Sequence, residues 1–231
     1  MKEMLENSVF FGVFISLLGY EIGLLLKRKY KKAVFNPLLI AIIIVMLVLT
    51  VTGVDYDTYN EGAKYISYLL TPATVCLAIP LYQQLDLLKK NYKAILGGIF
   101  AGVLTSMVSV LGLCLLFRLS RQEYITLLPK SITTAIGMGV SEELGGIVTI
   151  TVAVIIITGV FGNIVGETVF RIFHIEDTVA KGTALGTSAH AIGTARAIEM
   201  GEVEGAMSGL SIAVAGLMTV VTASIFANIY I

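Results

Sequence analysis

Cysteine is almost missing from this chain. Cys76 and Cys114 are the two it has, each set in an apolar run, with no CxxC spacing and no cysteine-histidine cluster that could hold a metal. The residues imply neither a metal nor another cofactor, and no arrangement looks like an enzyme's nucleophile and base. Charge is scarce as well: Asp, Glu, Lys and Arg make up 14% of 231 residues and cancel to a formal net charge of zero. Without a basic patch beyond loop lysines, nucleic acid is excluded as a partner. Proline is limited to four positions, so one that falls inside an apolar run marks a break in it.

What is present is apolar. Hydrophobic residues reach 56% and the mean hydropathy is +0.89, more than a soluble domain can expose to water. The composition is that of an integral membrane protein, with one membrane domain filling the chain. A bilayer core is crossed by about 20 mostly apolar residues, and the uncharged runs 33–54, 94–117, 144–166 and 205–231 reach that length. They are expected as helices, because lipid cannot satisfy an open backbone. Run 7–26 carries only Glu21 and is closed by Lys27, Arg28, Lys29, Lys31 and Lys32. Glu3 and Glu6 precede it and no small-residue cleavage site follows, so it reads as a retained helix with an outside N-terminus rather than a signal peptide.

Three segments are interrupted. Residues 65–85 (YISYLLTPATVCLAIPLYQQL) hold Pro72 and Pro80 and read as a broken helix. Residues 124–141 (YITLLPKSITTAIGMGVS) bring Pro129, Lys130 and several hydroxyls into a length barely able to span. Residues 182–210 (GTALGTSAHAIGTARAIEMGEVEGAMSGL) are too polar and glycine-rich for an ordinary span, and they put His190 and Arg196 where ionisable groups are expensive and usually functional. Discontinuous backbone is tolerated at membrane depth where it lines a cavity.

A shift of 113 residues lays 33–54 over 146–167, 65–85 over 178–198 and 94–117 over 207–230. In the middle element ATVCLAIP (73–80) falls on GTSAHAIG (186–193), pairing Thr74 with Thr187 and Pro80 with Gly193. The positive-inside bias puts the basic run after residue 26 and Lys89, Lys90 and Lys93 inside, with the acidic 55–61 loop outside. If 124–141 re-enters rather than spans, Arg171 and Lys181 are inside and Glu199, Glu202 and Glu204 outside. The expected fold is an all-α polytopic membrane protein: two inverted three-helix repeats, about 33–118 and 146–231, with broken helices, a leading helix and a re-entrant segment. That is a plan used by secondary transporters.

The same segments carry the candidate chemistry. Thr71-Pro72 and Leu128-Pro129 place proline where a helix begins, and helix starts offer free N–H groups and partial positive charge to a carboxylate. Thr74, Ser131, Thr133, Thr134, Thr187 and Thr194 would add hydroxyl donors. Lys130 or Arg196 would supply a full positive charge, arginine matching a carboxylate bidentately. His190, titrating near ordinary pH, is the expected proton carrier. Pro72, Pro80, Pro129, Gly186 and Gly193 are the expected helix breaks. Plainer roles stand beside these: His190 and the hydroxyls as interhelical hydrogen bonds, Arg196 paired with Glu199 or Glu202, Lys130 snorkelling to water. Gly97, Gly98 and Gly102 would permit close helix packing, also between copies in a homo-oligomer.

At these residues the chain resembles the LrgB/CidB family of membrane proteins. The resemblance rests on PKSITTAIGMGVSEELGG (129–146), ALGTSAHAIGTARAIEMGEVEGAMSGL (184–210) and TPATVCLAIPLYQQL (71–85), and it covers essentially the whole chain. Ala135 stands where the family pattern usually has a second proline, and Ala189 where it has a serine directly before the histidine. The resemblance implies one of two roles. One is antiholin- or holin-like action with a small LrgA/CidA-type membrane partner, affecting murein hydrolase activity and lysis. The other is secondary transport of a small monocarboxylate such as pyruvate, glycolate or glycerate, as in the related plastid glycolate/glycerate transporters.

Overall fold

A computed structural model describes residues 10–30, 35–69, 72, 75, 76 and 78–230. Among them are ten helices and no strand, and the chain divides after residue 76 into two compact units. The all-α class is as expected.

The first unit holds α1 (Phe11–Tyr30), α2 (Pro37–Thr52) and α3 (Tyr56–Ser67). Asn36 starts α2, its Oδ1 accepting from the N–H groups of Leu38 and Leu39 with Pro37 next in line, a cap that satisfies otherwise orphaned donors. Gly53, at φ 65°, ends it in the left-handed conformation that suits glycine. α1 and α2 pack antiparallel through small residues, Gly19 on Ala41 and Gly23 on Pro37. A Cβ at Gly23 would stand 2.7 Å from Pro37 backbone. The 55–61 stretch, expected as a loop, is the start of α3. Asp55 caps it at 2.9 Å from the Thr58 N–H, and that bond holds the Asp55 carboxyl below its usual range.

Among the described residues three helices, all in the second unit, are long and apolar enough to cross a membrane: α5 (Leu85–Phe117), α8 (Val148–Ile172) and α10 (Glu202–Ala227). They cover three of the expected spans. Run 33–54 yields in α2 an apolar helix of 16 residues, and run 7–26 yields α1, displaced toward the basic residues. α5 begins earlier than its apolar run and takes Asp86, Lys89, Lys90 and Lys93 into its first turns. Before it lies α4 (Ala78–Gln83), with Pro80 in its first turn, where a missing N–H costs no hydrogen bond. Pro72 has helical backbone and is exposed. Thr74 lies outside the described residues.

Between the long helices the chain makes two helical hairpins. The first is α6 (Arg121–Leu127), a turn at 128–133, and α7 (Thr134–Leu144). Its outer end is fixed twice. The Tyr124 ring stacks on Tyr230 at 4.5 Å and its hydroxyl donates to the Phe226 carbonyl at 3.1 Å. The Ile147 N–H donates to Thr126 Oγ1 at 2.8 Å, and Thr151 Oγ1 donates to Ser141 Oγ at 2.7 Å. Entry and exit therefore share the end where α5 and α10 finish. The tip sits about halfway along them, Ser131 against Ser106 and Ile136 against Gly216. Residues 124–141 re-enter.

The second hairpin is α9 (Thr178–Met200), whose helix breaks at Ala189 (φ −129°, ψ 16°) and His190 (φ 41°, ψ −137°). The chain reverses there. Gly193 lies over the Leu185 carbonyl, where a Cβ would approach to 2.6 Å. Ala197 packs with Leu185 and Phe170, and Ile175 and Met200 close on the same cluster. Gly182 faces the first turn of α10 at Glu204, so α9 leaves at the end it entered.

This reversal corrects the sequence-based topology. Glu199, Glu202 and Glu204 stand at the same end as Arg171 and Lys181, not opposite them. α10 consequently runs parallel to α5: the Gly98–Thr183 and Gly182–Glu204 contacts align their starts, and Tyr230 donates to the Cys114 carbonyl at 3.3 Å near their finishes. The two expected repeat units are thus not antiparallel in their third helices. Ungapped sequence matching is blind to a turn inside one helix-length segment.

Candidate functional site

The two hairpins enter from opposite ends, and one residue of α8 touches both tips. Ile155 Cδ1 lies against Gly137 of α7, and its carbonyl accepts from His190 Nε2 at 2.9 Å. A carbonyl can only accept, so Nε2 carries the hydrogen. Gly159, one turn on, leaves space for the ring: a Cβ there would be 2.7 Å from it.

Beside the tips opens a cavity of about 1030 Å³ between α5, the 128–133 turn, α8 and the first arm of α9. Its wall is apolar at Ile95, Phe161 and Val165 and otherwise rich in hydroxyls: Thr105, Ser106 and Ser109 from α5, Ser131 from the turn, Thr158 from α8, and Thr183, Thr187 and Ser188 from α9. Thr187 Oγ1 donates to the Thr183 carbonyl at 2.7 Å, turning its methyl onto Gly102, where even a Cβ would stand 2.7 Å away. Glycine at 102 is what lets the two helices close. Gly98 likewise meets Thr183. Two of the three glycines expected to permit an interface between copies are therefore used inside the chain.

Two ionisable side chains line the cavity, Lys130 and Asp177. Asp177 caps α9 at the far end, its carboxylate accepting from the Ala180 N–H at 2.7 Å. Lys130 stands at the hairpin tip. Its Nζ donates to Ser131 Oγ at 3.0 Å, and Ser131 Oγ lies 3.2 Å from Ser106 Oγ. Among the described residues no carboxylate lies within ion-pair distance of Lys130. Thr183 Oγ1 is the one buried side-chain polar atom among them without a partner. A buried hydroxyl left unpaired costs roughly 1–3 kcal/mol.

Of the residues singled out in the sequence, Lys130, Ser131 and Thr187 meet in this cavity. Thr133 and Thr134 start α7 just beyond it, Thr133 making no side-chain cap. Pro129 falls in the turn after α6 rather than at the head of a helix. His190 is buried behind the cavity. Thr194 Oγ1 sits 2.7 Å from Ser208 Oγ and joins the second arm of α9 to α10. Arg196 forms ion pairs of 2.6 Å with Glu167 of α8 and with Glu199. Gly186 and Gly193 remain helical on either side of the break, and both serve close packing: a Cβ at Gly186 would come within 2.3 Å of the Ser208 carbonyl. The hydroxyls of α5 were missed within an apolar run. Their signal was spacing, since positions 98, 102, 105 and 109 fall on one helical face.

Known proteins resemble the chain over nearly its whole length. The profile of the LrgB-like family matches residues 16–229. A protein of Bacillus mycoides (strain KBAB4) named "Antiholin-like protein LrgB" is 40% identical over 218 residues, covering 94% of this chain and 95% of that protein. Proteins of the same name from Bacillus cereus (strain B4264) and Bacillus anthracis (strain CDC 684 / NRRL 3495) are 39% identical over the same shares. No solved structure matches the chain.

Proposed function

The chain belongs to the LrgB-like family, and from that membership and the cavity we propose that it is a multi-pass bacterial cell-membrane protein carrying a small monocarboxylate through the space beside the hairpin tips. The observation that carries this reading is Lys130: an ionisable amine with hydroxyl neighbours and, among the described residues, no acidic partner, held on re-entrant backbone beside a cavity. An ionisable group at such depth is expensive unless a ligand or a pathway uses it. A carboxylate would pair with the protonated Lys130, while Ser106 and Ser131 would bond its oxygens or a neighbouring hydroxyl or keto group. Paired hairpins or broken helices meeting near the midplane are a recurrent way of building substrate sites in secondary transporters.

Sidedness follows from charge. Lys89, Lys90, Lys93, Arg171 and Lys181 gather at one end of the second unit, against Arg118 and Arg121 at the other, so the first end is assigned to the cytoplasm. The α9 hairpin then enters from inside and the α6–α7 hairpin from outside.

A second reading has its own support. The relatives are named antiholin-like, and those names speak more directly for a regulator of murein hydrolase activity and lysis, acting with an LrgA/CidA-type membrane partner, than for transport. Uptake of labelled pyruvate, glycolate and glycerate by proteoliposomes, with and without such a partner, separates the two. Saturable uptake is expected. Silence in every combination, together with a lysis phenotype that requires the partner, would remove the carrier reading and leave the antiholin-like one.

A further inference from the structure

We propose that Lys130, not His190, is the group that carries a proton together with the transported anion, an inference that rests on the carrier reading above. The two candidates differ in what surrounds them. His190 Nε2 is committed to the Ile155 carbonyl at 2.9 Å, the ring is wedged against Gly159, and the residue is outside the cavity wall. Lys130 is in that wall, and among the described residues its Nζ is held by Ser131 Oγ alone. From α5 the cavity offers it the Ser106 hydroxyl, from α8 Thr158, and from α9 Thr187 and Ser188. The remaining charged group of the lining, Asp177, lies at the level of Asn91, about 20 Å away along α5.

An ammonium and a carboxylate that enter together form a neutral pair, and a neutral site crosses a low-dielectric region at far lower cost than a charged one. The cycle balances on that basis. From the outer side a proton binds the neutral Lys130 amine and an anion binds beside it. On the inner side the anion leaves, the ammonium loses its counter-charge, and the proton leaves Nζ for cytoplasmic water, restoring the amine. One proton and one anion move per cycle, with no other reactant. The hydroxyl pair Ser131 and Ser106 can hold either form of the nitrogen, since a hydroxyl both donates and accepts.

The test separates exchange from coupling. Proteoliposomes are loaded with pyruvate and assayed for pyruvate–pyruvate exchange, which needs no net proton movement, and for accumulation under an imposed pH gradient. For the wild type, one pH unit should drive about tenfold accumulation. Lys130→Arg keeps the charge but cannot shed it, and should exchange without accumulating. His190→Gln can still donate to the Ile155 carbonyl and should accumulate as the wild type does. Lys130→Arg protein that accumulates normally, or His190→Gln protein that exchanges but no longer accumulates, would overturn the assignment. Should Lys130→Arg also lose exchange, His190→Gln decides alone, and proton uptake on pyruvate binding, retained in that variant, is the expected second readout. A wild type that neither exchanges nor accumulates sinks the carrier reading itself, an outcome distinct from the others.

Discussion

Thr183 is the residue at which a buried hydroxyl costs stability. Its Oγ1 is buried without a partner beside the cavity, while its backbone carbonyl is already taken by Thr187. Valine has the same shape without the hydroxyl. Thr183→Val removes an unsatisfied polar atom and should stabilise the protein by about 1 kcal/mol, read as a raised Tm in detergent. The same change should leave binding of a small acid at Lys130 unchanged, because Thr183 stands at Gly98, about 12 Å along α5 from Ser106. A variant that gains stability but loses affinity would mean that the ligand reaches Thr183. Lys130 presents the same logic with charge in place of a hydroxyl. Arg196 does not: two carboxylates answer it at 2.6 Å, and it serves as a tie between α8 and the returning arm of α9.

At the scale of elements, the α9 hairpin depends on a contact that a single methyl would break. Its tip residue His190 sits at φ 41°, a conformation costing a non-glycine residue about 1–3 kcal/mol, and the bond to Ile155 helps hold it there. Gly159→Ala would put a Cβ 2.7 Å from the imidazole and force the ring off its acceptor. The expected loss is about 1–3 kcal/mol, seen as a lowered Tm. Gly97→Ala, with nothing within 4 Å of its Cβ, should be neutral or slightly stabilising. Equal effects of the two would mean that the tip is not seated on α8.

The hairpins also mark how far the sequence could be read. Long apolar runs located α5, α8 and α10, because length and hydropathy are local properties. Pro129 with its flanking hydroxyls announced a re-entrant turn, and the charge bias agreed with it. Within the cavity, Lys130, Ser131 and Thr187 stood out as polar residues in interrupted segments. The reversal inside α9 was invisible: Gly186 and Gly193 suggested a break, but whether a broken helix goes on or turns back depends on what it packs against, here the Leu185 carbonyl and Ser208. Ser106 and Thr183 were hidden for the opposite reason. Ser106 lies in a stretch that looks like uniform lipid-facing helix, and Thr183 is one hydroxyl among many in its segment, until a second element is laid alongside.

For the whole molecule, the end-to-end order of the second unit is basic end, far end, basic end, far end: α5, α8 and α10 each pass once, and each hairpin returns to where it began. Three is an odd number. Lys89 and Tyr230 therefore stand at opposite ends of the second unit, whereas a full crossing by residues 178–198 would have brought them to the same one. A reporter that works only in an oxidising exterior, joined after residue 230, should be active, and one that fluoresces only in the cytoplasm should be dark; the reverse pattern, with Lys89 still reached from the cytoplasm, would mean that the chain does not turn back at His190. The reversal at a single strained histidine thus decides, by parity alone, at which end of the second unit α10 finishes.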